Sequence, residues 1–275
     1  MKSERPIRVM QVIARMNVGG PAVLVADLMR NLDPDVVKAV LVTGFCDENE
    51  SDYLDEVAKD VKAVRVPGLG RSISPLRDMH AFFLLVKEIR KFKPDVIHTH
   101  TAKAGMLGRV AGLLAAPNAK RVHTFHGHLL HGYFDKRKTK LVIQVEKFLA
   151  LITHRIIAIG KSVKKDLVDA GIGRDSKYEV IFPGLQPLKV SSKEAAKKYL
   201  GLEPNNTYLV FVGRLTQIKR PDRLLEIARY LNTHHPDSQI LVAGAGELLD
   251  PIKSKSKSEG LPMTFLGWRN DIELI

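Results

Sequence analysis

Residues 94–115 read PDVIHTHTAKAGMLGRVAGLLA, and this stretch decides the fold. Pro94 opens the extended run Asp95-Val96-Ile97-His98-Thr99-His100, short and bounded as a buried strand is. From about Ala104 the apolar residues switch to helical spacing, which holds to Ala115. A strand that feeds a helix is half of a βαβ unit, and the pattern repeats in both directions. Upstream, Ile7–Ile13, Val36–Thr43 and Ala63–Val66 read as strands. Ala22–Asn31, Ser51–Ala58 and Leu76–Phe92 read as helices, the first entered through the tight turn Asn17–Pro21 with Pro21 in its opening turn. Downstream, strands at Arg121–Phe125, Arg155–Ile159 and Tyr178–Phe182 alternate with helices over 138–153 and Ser162–Ala170.

Composition shifts over 184–206, where Pro187, Ser191, Ser192, Pro204, Asn205 and Asn206 mark a boundary around a short helix at 193–200. Alternation then restarts. Tyr208–Val212, Gln239–Ala243 and Met263–Leu266 are strands, Pro221–Leu231 and Glu247–Ser256 are helices, and Asp271–Ile275 begins another. The expected fold is α/β, with two Rossmann-like doubly wound domains of parallel sheet and helices on both faces. Residues 1–185 would form the first, with six or seven strands. Residues 186–275 would form the second, whose three strands leave both outer edges in need of partners and so suggest an incomplete domain.

The composition narrows the function. Hydrophobic residues make 45% of the 275 positions and charged residues 27%, a globular balance. Cys46 is the single cysteine, which rules out an internal disulfide framework and points to a reducing, cytoplasmic setting. No apolar run reaches the roughly 18 residues of a spanning helix. Net charge is +13, and residues 87–165 hold 17 Lys/Arg against 4 Asp/Glu, so the whole surplus lies there. Such a stretch attracts anions. With 6% aromatics and no aromatic–basic interleaving, nucleic acid is a poor fit. A phosphate-bearing acceptor or an anionic membrane surface, with the inner face of the membrane as the expected one, fits better. Lys136, Arg137, Lys138, Lys140 and Lys147 flank Leu141, Val142, Ile143 and Phe148, a pattern compatible with an interfacial helix and equally with a core-facing one.

In open parallel sheets ligands bind beyond the carboxyl ends of the strands, and four loops there carry candidates. Asn17-Val18-Gly19-Gly20-Pro21 brings paired glycines to a helix N-terminus, favourable for a negative group; it is not GxGxxG, so a dinucleotide oxidoreductase is weakly supported. In the second loop His98 and His100 share one side of their strand, and Lys103 stands near the next helix N-terminus, suited to a phosphate. The third runs from His123 to His128. Six of the ten histidines lie between 98 and 131: His98, His100, His123, His126, His128 and His131. A metal site, structural histidines and an acceptor or sugar pocket are all compatible with that clustering, although nearby carboxylates are scarce. In the fourth, Arg214 and Lys219 flank the loop after Gly213, a fork and a point charge suited to a diphosphate. Gly244-Ala245-Gly246-Glu247 adds a second glycine turn in the same sheet.

Together, Gly213-Arg214-Leu215 with Lys219, DVIHTHTAKAG at 95–105, TFHGH at 124–128 and Gly19-Gly20 resemble the retaining glycosyltransferases of family 4, which have the GT-B fold of two facing Rossmann-like domains. The resemblance runs over essentially all 275 residues. It implies that Arg214 and Lys219 hold the diphosphate of a nucleotide-sugar and neutralise the departing nucleotide. It places His126 beside the donor sugar and Gly19 and Gly20 near the phosphates and acceptor. Gly244, Gly246 and Glu247 would shape the donor pocket, and His98, His100 and Lys103 would serve the acceptor. The implied reaction is transfer of a hexose to a polysaccharide or lipid-linked acceptor in cell-surface glycan synthesis. No metal or other cofactor is called for, because the nucleotide-sugar is a substrate. The family's Glu-x7-Glu motif, which contacts donor sugar and ribose, does not occur after Glu247 or Glu273. The expectation is therefore a C-terminally truncated second domain, with activity weakened or lost. Two other readings stay open: a metal-dependent hydrolase built on the histidines, and a non-catalytic binding remnant.

Overall fold

The computed structural model describes residues 5–48, 50–127, 136–184 and 190–275. The chain divides into two compact units, Met1–Leu185 and Gln186–Ile275.

The first unit alternates strand and helix throughout: β1 (Ile7–Ile13), α1 (Gly20–Asn31), β2 (Val37–Thr43), α2 (Tyr53–Glu56), β3 (Ala63–Arg65), α3 (Pro75–Phe92), β4 (Val96–His100), α4 (Ala102–Ala115), β5 (Lys120–Phe125), α5 (Lys136–Leu151), β6 (Arg155–Ala158), α6 (Lys161–Asp169) and β7 (Tyr178–Val180). Its sheet is parallel, in the order β3-β2-β1-β4-β5-β6-β7. The order reverses between β1 and β4, and a crevice opens beyond the carboxyl ends of strands at such a point. Gln11 pairs in register with His98 and Ile13 with His100, while His98 and His100 face Val122 and Thr124.

Side-chain alternation divides the core into two layers. Ile13 and Leu41 pack with Ala22, Val25 and Ala26 of α1 on one face. Met10, Val12 and Ile97 pack with Ala81, Leu85 and Ile89 of α3 and with Leu107 and Ala111 of α4 on the other. A glycine stripe lets α4 lie close on the sheet. A Cβ at Gly105 would fall 2.6 Å from His123, one at Gly108 2.8 Å from Thr99, and one at Gly112 2.7 Å from Ile97. The same helix buries Arg109 completely against Glu146 of α5.

The second unit contains α7 (Lys193–Leu200), β8 (Thr207–Val212), α8 (Asp222–His234), β9 (Ser238–Ala243), α9 (Leu249–Ser258) and β10 (Met263–Gly267). Its parallel sheet runs β10-β9-β8. Leu224, Ala228 and Leu231 of α8 close over Ile240 and Val242. Two helices have bounds other than those the periodicity suggests: α2 is shorter and α9 is shifted toward the C-terminus. Asp52 caps α2 through its Oδ1 at Leu54, and the helix gives out at Val57 instead of reaching Ala58. Gly246, at φ 152, is outside helical geometry, so α9 starts at Leu249 and leaves Glu247 in the turn. The end of the chain forms one 3-10 turn, Ile272–Leu274.

Candidate functional site

In the first unit the site begins where β1 and β4 end side by side. Gln11, His98, His100 and Thr124 occupy one face of three adjacent strands, and His126 follows directly on β5. The imidazoles lie close but tilted, with His98 and His100 centroids 4.2 Å apart at 41° and His100 and His126 5.1 Å apart at 38°. His98 Nε2 meets Thr124 Oγ1 at 2.7 Å. His100 is committed at both nitrogens: Nε2 to Gln11 Oε1 at 2.8 Å and Nδ1 to His126 Nε2 at 2.9 Å. Burial holds all of these rings neutral. It brings His126 down to about 4 and, assisted by His126, brings His98 down to about 3; His100 lies well below the ordinary value for the same reason, reinforced by His98 and His126. His126 Nδ1 is buried and has no hydrogen-bond partner among the described residues.

His123 belongs to the opposite face. It meets Thr99 Oγ1 at 2.8 Å beneath Gly105 of α4, which makes it a packing histidine. His123 therefore stands apart from His98, His100 and His126. Among the described residues no three His, Cys, Asp or Glu side chains gather as a metal-ligand set. His128 and His131 lie outside the described residues. Cys46 offers no nucleophile either, since burial and then Asp52 push its thiol up to about 12.

The backbone next to His100 is strained. Thr101 sits at φ 65 and ψ 156, a combination that is essentially confined to glycine. It caps α4 without a side-chain bond to the helix, and its Oγ1 accepts instead from Ala14 N at 3.3 Å. This ties the ends of β1 and β4 together. Gly19 and Gly20 lie at the start of α1, and a Cβ at Gly20 would meet nothing within 4 Å, so the backbone there stands open.

Lys103 has a different place from the one its position suggested. It is not an open cation: Nζ pairs with Asp78 at 2.5 Å and donates to the carbonyls of Gly68 at 2.8 Å and Ser72 at 2.6 Å. Its hydrogen-bonding capacity is spent on the loop between β3 and α3. That loop lines a cavity of about 410 Å³, with Cys46, Asp47, Arg77 and His80 on its other walls. Lys103 thus braces a pocket at the carboxyl ends of β2 and β3.

In the second unit, β8 and β9 end in two loops that run against each other. Gly213 N bonds Ala243 O at 3.0 Å, Leu215 N bonds Ala245 O at 2.9 Å, and Leu248 N bonds Leu215 O at 3.0 Å. The contact requires glycine. A Cβ at Gly244 would fall 1.9 Å from Gly213 O, one at Gly246 would fall 2.5 Å from Leu215 O, and both residues have positive φ. Gly244 and Gly246 therefore shape the loop pair through backbone packing, and Glu247 is exposed. The pair presents Arg214 and, from the 3-10 turn Gln217–Lys219, Lys219. Both side chains are exposed, and among the described residues neither meets an ion-pairing or hydrogen-bonding partner. Arg220 next door is different, being forked onto Asp222 at 2.7 Å. Two cations without partners among the described residues thus stand on a glycine-built turn at a strand terminus, groups of the kind that can bind a diphosphate.

Gln11 is the participant that the sequence reading missed. A polar residue in the apolar run Ile7–Ile13 was the available signal, because a buried amide needs a partner.

The family model described as Glycosyltransferase Family 4 matches residues 18–187, and that of Glycosyl transferases group 1 matches residues 192–275. A UDP-Gal:alpha-D-GlcNAc-diphosphoundecaprenol alpha-1,3-galactosyltransferase of Escherichia coli is 36% identical over 233 residues, 81% of this chain and 59% of that protein. The O-antigen biosynthesis glycosyltransferase WbnH, also of Escherichia coli, is 27% identical over 94% of this chain and 69% of its own length. This chain thus spans about three fifths of the length of the first relative and about two thirds of the second. Among solved structures, Anabaena HepE in complex with UDP-glucose superposes with a TM-score of 0.75 at 19% identity, over 98% of this chain and 71% of that one. At that identity the likeness concerns the fold.

Proposed function

The chain belongs to glycosyltransferase family 4, and from that premise we propose that it takes part in transferring a sugar from a nucleoside diphosphate sugar to a lipid-linked or polysaccharide acceptor in cell-surface glycan synthesis. The observation that carries the reading is the unpartnered pair Arg214 and Lys219 on the glycine-locked turn after β8. Uridine diphosphate is the favoured nucleotide, since the galactosyltransferase relative and the HepE complex both name it.

The chemistry follows from charge. As the glycosidic bond to the nucleotide breaks, the sugar becomes oxocarbenium-like and negative charge grows on the departing phosphate. Arg214 and Lys219 stabilise that charge as it develops, and losing one such contact typically costs about 3 kcal/mol in barrier height. His126, neutral and half-buried, accepts a hydrogen bond from a sugar hydroxyl without adding a positive charge near the cationic carbon. The proposed transfer is of a hexose, with retention of configuration. Gly20 leaves room for substrate beside the start of α1.

The pocket braced by Lys103 suits the acceptor. Arg77 and His80 line it, and an anionic headgroup would complement them. Membrane contact would fall on α5. Leu141, Phe148 and Leu151 are exposed there, at 65%, 64% and 74%. Phe148 also lines an apolar groove of about 420 Å³ with Met106 and Val110 of α4. Exposed Arg137, Lys138 and Lys140 flank this stripe, a combination suited to the interface of an anionic bilayer. Among the described residues no helix is long and apolar enough to cross a membrane.

The test is release of UDP from UDP-hexoses in the presence of undecaprenyl-diphosphate-linked GlcNAc, with the chain alone and extended to the length of its relatives. Turnover by either supports the reading. Absence of turnover by both, across UDP-glucose, UDP-galactose and their N-acetyl forms, contradicts it. Binding without turnover by the short chain alone identifies it as a donor-binding piece.

A further inference from the structure

Three side chains form a chain of hydrogen bonds whose far end is unmet among the described residues: Gln11 Oε1 to His100 Nε2 at 2.8 Å, His100 Nδ1 to His126 Nε2 at 2.9 Å, and then His126 Nδ1, buried and without a partner there. A neutral imidazole carries one N–H and one lone pair, so fixing one nitrogen fixes the other. Gln11 Oε1 can only accept. His100 therefore carries its proton on Nε2 and presents a lone pair at Nδ1. That lone pair accepts the Nε2–H of His126, and His126 is left with a lone pair at Nδ1. We infer that Gln11 and His100 are positioning residues that set the proton of His126, so that its Nδ1 accepts a hydrogen bond from a hydroxyl of the sugar substrate. This rests on the sugar-transfer reading for the identity of the ligand and on the three contacts alone for the placement of the proton.

The opposite arrangement is disfavoured. With the amide of Gln11 reversed, each imidazole would carry its proton the other way and His126 would bury an unmet N–H. Buried donors left unmet are rarer in proteins than under-used acceptors. An unmet buried acceptor still carries an unfavourable energy that a partner removes. A substrate hydroxyl supplies that partner, and an analogue lacking the O–H cannot. The surroundings keep the relay neutral: His98 lies tilted against His100 and bonds to Thr124, and among the described residues no carboxylate is a hydrogen-bonded or ring-contact partner of the three side chains.

Histidine-selective long-range proton–nitrogen NMR on the ligand-free chain at pH 8 reads the tautomers directly. The expected result is Nε2–H with a bare Nδ1 for both His100 and His126; Nδ1–H at His126 would overturn the proposal. Gln11→Met removes the acceptor and should give a mixture of tautomers at His126, while Gln11→Glu restores an acceptor and should restore the pattern. In binding assays Gln11→Met should weaken UDP-glucose or UDP-galactose at least tenfold and leave UDP alone unchanged. Unchanged tautomers and unchanged sugar selectivity in a folded Gln11→Met would also overturn it, as would equal affinity of the wild type for UDP-hexoses and all their singly deoxyfluorinated forms, which would leave only a water at Nδ1. Failure of the wild type to bind either UDP or UDP-hexose would sink the sugar-transfer reading instead, with the tautomer spectrum still deciding the relay.

Discussion

Arg109, fully buried on α4, directs Nη2 at both carboxylate oxygens of Glu146 on α5, at 2.9 and 2.8 Å. Its Nε is held by Gly105 O at 2.7 Å. Burial lowers the Arg109 value and Glu146 opposes that shift. This pair fixes α5 on the sheet behind the histidine layer. Removing one partner strands a buried charge, so Glu146→Ala should lower stability by about 3–5 kcal/mol. Arg109→Met with Glu146→Leu should recover most of the loss, since an apolar pair of similar volume needs no charge compensation. Urea unfolding of the three variants measures both.

Gly244→Ala should disrupt the diphosphate grip without touching a cation. Its Cβ would collide with Gly213 O at a φ of 148, a strain of roughly 1–3 kcal/mol before the clash is counted. The expected outcome is a lower melting temperature and weakened UDP binding. Gly160→Ala, where a Cβ meets nothing within 4 Å, should leave both unchanged.

Lys103→Ala should act on the acceptor side. Loss of its bonds to Gly68 and Ser72 frees the rim of the pocket near Arg77. The acceptor KM should rise several-fold while UDP affinity stays constant. Steady-state kinetics with donor and acceptor varied in turn would separate this from a phosphate-binding role.

The neutral histidines make the first unit sensitive to acid. His126 is held near 4 and His98 near 3 in the folded chain, against 6.5 when free. Below pH 6.5 the unfolded chain takes up protons that the folded one refuses. Stability should therefore be fully present above 6.5 and fall as pH drops toward 4, by about 1.4 kcal/mol per pH unit for each such histidine. Urea midpoints at pH 7.5, 6 and 5 should decline in that order, and His126→Asn should flatten the slope. Equal midpoints would contradict the assigned cause.

Much of this was legible beforehand, because buried parallel strands announce themselves as apolar runs and helices by spacing. Ile7–Ile13 and the helix at 193–200 lie where periodicity put them. Gly246 and Asp52 moved two helix ends for local reasons that periodicity does not carry. The site was less legible. Strand alternation placed His98 and His100 on one side, yet nothing in the sequence says that Gln11 lies beside them, since that depends on β1 pairing with β4 across eighty residues of chain. Lys103 looked like a free cation because its partners, Asp78, Gly68 and Ser72, come from an earlier loop. The glycines at 244 and 246 read as a turn into a helix, and the structure adds why they must be glycine, since their backbone packs against Gly213 and Leu215.

Calorimetric titration of UDP into the wild type, Arg214→Ala and Lys219→Ala tests the account most directly. Each charge-assisted contact is worth about 1.5–3 kcal/mol, so each variant should bind UDP at least tenfold more weakly, with melting temperatures unchanged because neither side chain has a partner among the described residues. Undiminished UDP affinity in both variants would contradict it.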